Sequence, residues 1–194
     1  MQSVPVRDPS EQPLVDALRG GDARAFDVIY ARYSGRILGF LLRLSGRREV
    51  AEDLFQETFC KLARNAARLD ADTDLAAWLF RVARNAWVSH RRWSMLDVSR
   101  LVVLAEDALP AAVQTDLLAR SDAARRLVQL EAALAKLPPA SREVLLLVGV
   151  EGFEQEQAAA ILGISYEALR QRLSRARTQL ARRLGMKETK EALA

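Results

Sequence analysis

Residues Glu151 to Arg183 read EGFEQEQAAAILGISYEALRQRLSRARTQLARR, and this stretch decides the fold. Ala158, Ala159, Ile161 and Leu162 form a short apolar helix pattern that breaks at Gly163-Ile164-Ser165. Gly163 supplies the backbone freedom that a tight helix-to-helix turn needs. Ser165 suits an N-cap, because its hydroxyl can accept a bond from an otherwise unpaired amide of the next helix. Beyond it Leu169, Leu173, Ala176, Leu180 and Leu184 recur at spacings of four, three, four and four, which is one buried helix face. At about 100° per residue, Arg170, Gln171, Ser174, Arg175, Thr178 and Arg182 fall on the outward side. Such a pair of helices is a helix-turn-helix, its second helix presenting guanidinium, amide and hydroxyl groups to a DNA major groove.

The plain alternative is a solvated basic face on an ordinary helical hairpin. From Ser165 to Lys187 seven residues are basic and only Glu167 is acidic, so the face is not a lattice of mixed charges. The short side chains of Ser174 and Thr178 also leave room for a groove to approach.

Working outward, nearly everything else reads as helix, and no stretch shows sustained period-two alternation. Gly20-Gly21-Asp22 opens a helix that runs to about Leu44 and is followed by Ser45-Gly46. A second helix spans about Arg48 to Arg68, and a third, capped by Thr73 or Asp74, reaches about Trp93. From Leu96 to about Ser121 the periodicity fails around Pro110, and Glu106, Asp107 and Asp116 make the stretch acidic despite its apolar Leu101 to Leu104 run. Helices follow at Ala123 to Lys136 and, after Pro138-Pro139, at Ser141 to Val150. The expected fold is all-α, with two small helical domains joined by an acidic linker. Its boundaries are a tail at 1–13, a first domain at 14–95, the linker at 96–122, a second domain at 123–185 and a tail at 186–194.

Bulk properties narrow the function. The chain has 194 residues, half of them apolar and 28% charged, with no apolar run near the length of a membrane span. MQSVPVRDPSEQP lacks the apolar core of a secretion signal and reads as a polar tail. The lone Cys60 has no disulfide partner, and with a single histidine there is no zinc set, so no metal and no cofactor are expected. A cytoplasmic protein is the expectation. The net charge of +4 is mild, but acidic and basic residues are segregated along the chain, which suits a protein meeting both a polyanion and a basic protein surface.

Two further constellations matter. In the second helix Asp53, Gln56, Glu57, Cys60 and Arg64 share one stripe, opposite Leu54, Phe55, Thr58, Phe59 and Leu62. Paired carboxylates can do acid-base chemistry, but no partner histidine, phosphate loop or metal set supports that here. A solvated face and a docking stripe for a basic protein surface both remain open on periodicity alone. In the third helix Arg81, Arg84, Asn85, Val88, Ser89 and Arg92 share one side, with Trp78, Trp87 and Trp93 on the flanks. Guanidiniums, amide and rings suit single-stranded DNA, although at least two of the tryptophans read better as core anchors. His90 falls on the packed side.

Three motifs in order carry a resemblance: AEDLFQETF at Ala51 to Phe59, AWLFRVARN at Ala77 to Asn85, and Leu137-Pro138-Pro139 through Arg142-Glu143-Val144-Leu145-Leu146-Leu147 into the helix-turn-helix. Together, over about Ala25 to Leu184, the chain resembles the extracytoplasmic-function (ECF) group of bacterial RNA polymerase sigma factors. The resemblance implies that Asp53, Gln56 and Glu57 dock on core RNA polymerase. It implies that Arg81, Arg84, Asn85, Ser89 and Arg92 grip and help melt the minus-ten promoter element. It also implies that Arg170, Gln171, Ser174 and Arg175, with Ser165 at the turn, read the minus-thirty-five element. Promoter DNA and an anti-sigma factor are the further partners it implies, with no catalysis by the chain. Two departures stand out. Leu69-Asp70-Ala71-Asp72-Thr73-Asp74-Leu75 is acidic where many relatives are basic and aromatic, and Glu154-Gln155-Glu156 replaces a more usual Ser-Tyr-Glu start. On the residues alone, a stand-alone helix-turn-helix repressor or activator acting as a dimer is the alternative.

Overall fold

Apolar helix faces build the core of this chain, and contacts at helix ends tie its parts together. A computed structural model describes residues 11–96 and 122–185; the body of the expected linker, with Leu101 to Leu104, and the C-terminal tail lie outside the described residues. Among the described residues eight α-helices run α1 Gln12–Arg19, α2 Ala23–Ser45, α3 Arg48–Asn65, α4 Leu75–Leu96, α5 Asp122–Ala135, α6 Pro139–Leu145, α7 Gln155–Leu162 and α8 Tyr166–Arg183. Among the described residues there is no strand. The expected helices are present, with one addition: α1 begins at Gln12, inside the expected tail, and buries Val15 and Leu18.

The first half is a bundle of α1 to α4. Asp22 caps α2 by accepting from the Arg24 amide at 2.9 Å. Gly46, at φ 69°, ends that helix in the left-handed region. Ile29, Ile37, Phe40 and Leu41 of α2 are fully buried, as are Leu62 of α3 and Leu79 and Phe80 of α4. The acidic 70–74 loop starts the next helix. Asp74 caps α4 by accepting from the Ala77 amide at 2.9 Å, and the Thr73 hydroxyl donates to the Asp70 carbonyl at 2.8 Å.

In the second half α6 starts at Pro139, where a missing N–H costs nothing. It widens into a π-turn at Leu146–Val150, with the Glu151 amide donating to the Leu146 carbonyl at 2.9 Å. Gly163, at φ 65°, closes α7, and Ser165 then accepts from the Ala168 amide at 3.2 Å, so the turn expected from the sequence forms.

The halves do not sit apart. One continuous core joins Phe80 of the first half to Phe153 of the second, their rings edge to face at 5.0 Å. Ion pairs that cross the seam among the described residues include Arg36–Glu151 at 3.0 Å, Arg43–Glu131 at 2.9 Å and Arg84–Glu143 at 3.3 Å. Arg36 also donates to the Glu151 carbonyl at 3.0 Å and lies over the Phe80 ring. Gln157 links two caps, its Oε1 accepting from the Glu154 amide at 3.1 Å while its Nε2 donates to Asp74 at 3.0 Å.

Arg142 makes the densest contact. Its guanidinium donates to the carbonyls of Leu134 at 3.1 Å, Leu137 at 3.1 Å and Ala135 at the end of α5. It also reaches the carbonyls of Arg43 at 3.2 Å and Leu44 at 3.1 Å at the end of α2. The final carbonyls of a helix lack intrahelical partners, and a cation there also meets the negative end of the dipole. Arg142→Ala should lower stability by about 2–3 kcal/mol, since bonds to a charged group are strong and the carbonyls are left unpaired. That corresponds to a fall of about 4–12 °C in the thermal midpoint followed by circular dichroism. Arg142→Lys should recover less than half of it, because one ammonium cannot span both helix ends; full recovery would show that only the charge matters.

Burial raises the pKa of Glu143, against the pull of Arg84, Arg172 and Arg91. Burial also raises that of Glu151, against Arg36 and Arg43. Each carboxyl therefore keeps its proton to higher pH when packed than when unfolded. Just above the ordinary value of 4.5, these groups contribute stability that declines as pH rises through the raised pKa and returns on acidification. Glu143→Gln keeps an acceptor for Arg84 and removes one titration. Its unfolding midpoint should vary less steeply with pH in that window, and superimposable curves for the two proteins would refute the assignment.

Candidate nucleic-acid interface

Three exposed faces collect the residues singled out from the sequence. On α3, Asp53, Gln56 and Glu57 are turned to solvent, in line with Cys60 and Arg64. Their opposite side is held down by buried Leu54, Phe59 and Leu62, and buried Thr58 satisfies its hydroxyl on the Leu54 carbonyl at 2.8 Å. Glu57 pairs with Lys61 at 2.6 Å, one turn on. Beside this stripe lies an aromatic cluster, with Tyr30 edge to face on Phe55 and Phe59 at 5.9 and 4.9 Å. Tyr30 is 43% exposed, although helical periodicity assigns it to the apolar face of α2.

On α4, Arg81, Asn85, Ser89 and Arg92 form one line along the helix. Arg84 does not join them freely. Its Nε is held by Glu143 across the seam at 3.3 Å, while its Nη1 reaches back to the Asn85 side-chain oxygen at 3.3 Å. The tryptophans divide as expected: Trp87 is buried beneath the Arg91 guanidinium and Trp78 is half-buried. Trp93, by contrast, is 73% exposed next to Arg92. His90 is half-buried, and its carbonyl accepts from the Ser94 hydroxyl at 3.0 Å.

On α8, Leu169, Leu173 and Ala176 are buried, which turns Arg170, Gln171, Ser174 and Arg175 outward. Thr178 is half-buried. With Gln155 and Glu167, the four outward residues line an open concavity. Its lining offers guanidiniums, amides and a hydroxyl, the set of groups that can bond base edges in a groove. Ser165 is spent on capping α8.

Sequence reasoning passed over Arg142, Glu143, Gln157 and Tyr166. The first two stand in the third motif, but nothing in their spacing shows that they reach across to α2 and α4. Among the described residues no helix is long and apolar enough to cross a membrane, and no group of three or more His, Cys, Asp or Glu could hold a metal ion.

Comparison with known proteins finds two family matches along the chain. Residues 29–94 match the family described as Sigma-70 region 2, and residues 127–180 match Sigma-70, region 4. The ECF RNA polymerase sigma factor EcfG of Rhodopseudomonas palustris is 35% identical over 87% of this chain and 86% of its own length. The RNA polymerase sigma factor CarQ of Myxococcus xanthus is 34% identical over 92% of this chain and 99% of its own. Among solved structures, the sigma factor RpoE in complex with the anti-sigma factor NepR from Bartonella quintana is 28% identical. It superposes with a TM-score of 0.69, covering 86% of this chain and 100% of that one. CnrH in complex with the cytosolic domain of CnrY gives 0.66, at 28% identity over 91% and 97%. These relatives leave no support for the stand-alone repressor. With both regions present in order and relatives aligned along most of their length, the chain belongs to the ECF RNA polymerase sigma factors.

Proposed function

We propose that this sigma factor works through its three exposed faces, each assigned to one partner. Asp53, Gln56 and Glu57 of α3 dock on core RNA polymerase. Arg81, Asn85, Ser89 and Arg92 of α4, joined by Arg84, grip the minus-ten element and favour its opening. Arg170, Gln171, Ser174 and Arg175 of α8 read the minus-thirty-five element, on a helix whose start is fixed by Ser165. The units are 14–95 and 123–185, with 96–122 connecting them. The supporting observation is that acidic and cationic faces are exposed on different helices, so one protein surface and two DNA surfaces can be engaged at once. The chain performs no catalysis, acts in the cytoplasm and is held in reserve by an anti-sigma factor, as RpoE is bound by NepR in the similar structure.

The closed packing adds a step. Elements centred about 25 base pairs apart are separated by about 85 Å of duplex. A compact body of about 150 residues has a radius of gyration near 15 Å. Both elements cannot be reached while Arg36, Arg43 and Arg84 hold the second half, so the seam opens on the polymerase. Opening also frees Arg84 for DNA.

Run-off transcription with purified bacterial core polymerase on fragments of the source genome tests the whole reading. Discrete start sites that share two upstream elements are expected; no sigma-dependent start sites would overturn it. Glu57→Arg should weaken binding to core by about 30-fold or more at unchanged helicity, as reversing a docked charge does. Arg175→Ala should cost about 5- to 150-fold in discrimination at a single base pair of the upstream element, measured by transcription from promoter variants. Unchanged selectivity would remove Arg175 from the site.

A further inference from the structure

The first turn of the recognition helix holds an aromatic ring to which none of the three faces gives a role. Tyr166 is the first residue of α8, directly after the cap, and is 37% exposed. One turn on, the Arg170 guanidinium carbon lies 5.8 Å from the centre of the Tyr166 ring. Arg170 forms no ion pair among the described residues, although Glu167 lies three residues before it and lines the same concavity. The ring is therefore the group against which this guanidinium rests.

The kind of partner decides its use. A guanidinium held against a ring keeps the N–H donors that a carboxylate would occupy. A salt bridge to Glu167 would instead occupy the edge that a base needs. An arginine held by a ring and bound to no carboxylate is prepared for the paired acceptors of a guanine in the major groove. Holding a long side chain in its bound position also lowers the entropy lost on binding.

We propose that Tyr166 is a positioning residue that sets Arg170 for a guanine in the upstream promoter element and so fixes selectivity at that base pair. This rests on the assignment of α8 as the helix that reads that element, and it adds a residue that does not itself touch the base. The phenol hydroxyl is not required for the stacking, whereas the ring is.

The test is run-off transcription by holoenzyme assembled from core polymerase and the full chain, on promoters varied one base pair at a time across the upstream element. The variants are Tyr166→Phe, Tyr166→Ala, Arg170→Ala and the Tyr166→Ala/Arg170→Ala double, each checked for an unchanged thermal midpoint. Arg170→Ala should lose discrimination at one G·C pair. Tyr166→Ala should lose about two- to five-fold at that same pair and nothing elsewhere. Tyr166→Phe should match the parent, and the double variant should be no worse than Arg170→Ala. A Tyr166→Ala effect spread evenly over all promoters, or one that adds in full to Arg170→Ala, would overturn the proposal while leaving the reading of α8 in place. So would a Tyr166→Phe variant as poor as Tyr166→Ala. If Arg170→Ala changes no base preference, the assignment of Arg170 fails, and with it the role of Tyr166.

Discussion

One guanidinium closes the C-terminal ends of two helices that belong to different halves of the chain, and the rest of the packing follows from it. Arg142 sits in the first turn of α6 and spreads its donors over carbonyls at the ends of α5 and α2. A planar fork with five N–H groups is the one side chain that can serve several acceptors in different directions and stay charged. Burial disfavours its charge, yet the carbonyls around it are the negative ends of two helices. Were α2 a turn longer or α5 a turn shorter, those acceptors would lie out of reach. Gly46, which stops α2, and Leu137, which turns the chain into α6, thus have a joint role in placing the two halves.

The opposite ends of the helices repeat the idea. Asp74 caps α4 with one carboxylate oxygen and receives Gln157 of α7 on the other. Gln157 in turn completes the capping box at the start of α7. The acidic loop before α4 and the start of α7 are therefore linked through Gln157, which bonds Asp74 and the Glu154 amide. Around them the three ion pairs share one polarity: arginines come from the first half and glutamates from the second. Between them run the Phe80 and Phe153 rings, so the polar contacts enclose an apolar strip.

The helices were legible because their apolar faces are periodic: Leu169, Leu173 and Ala176 are buried as their spacing requires, and Asp53, Gln56 and Glu57 face solvent for the same reason. The turn at Gly163 and the cap at Ser165 were legible from local chemistry. The seam was not. Arg36, Arg43, Arg84 and Arg142 look like ordinary surface arginines along their own helices, and their partners lie 59 to 115 residues away. Periodicity describes which side of a helix faces inward; it carries no address for the helix on the other side. α1 escaped notice because eight residues starting at a proline-bearing turn give too few periods to read.

The pairing of Arg84 with Glu143 has a consequence for the thermodynamics of promoter binding. An arginine that comes to a phosphate from free solution displaces a condensed cation from the DNA, and the gain in mixing entropy makes its contribution fall with added salt. Under the role proposed for α4, Arg84 arrives instead from Glu143, a partner that it must leave. Parting a largely buried ion pair offsets part of what a phosphate contact gains. The proposed contact of Arg84 with the minus-ten element is therefore worth less, net, than that of Arg81 or Arg92, which are exposed and in no ion pair among the described residues.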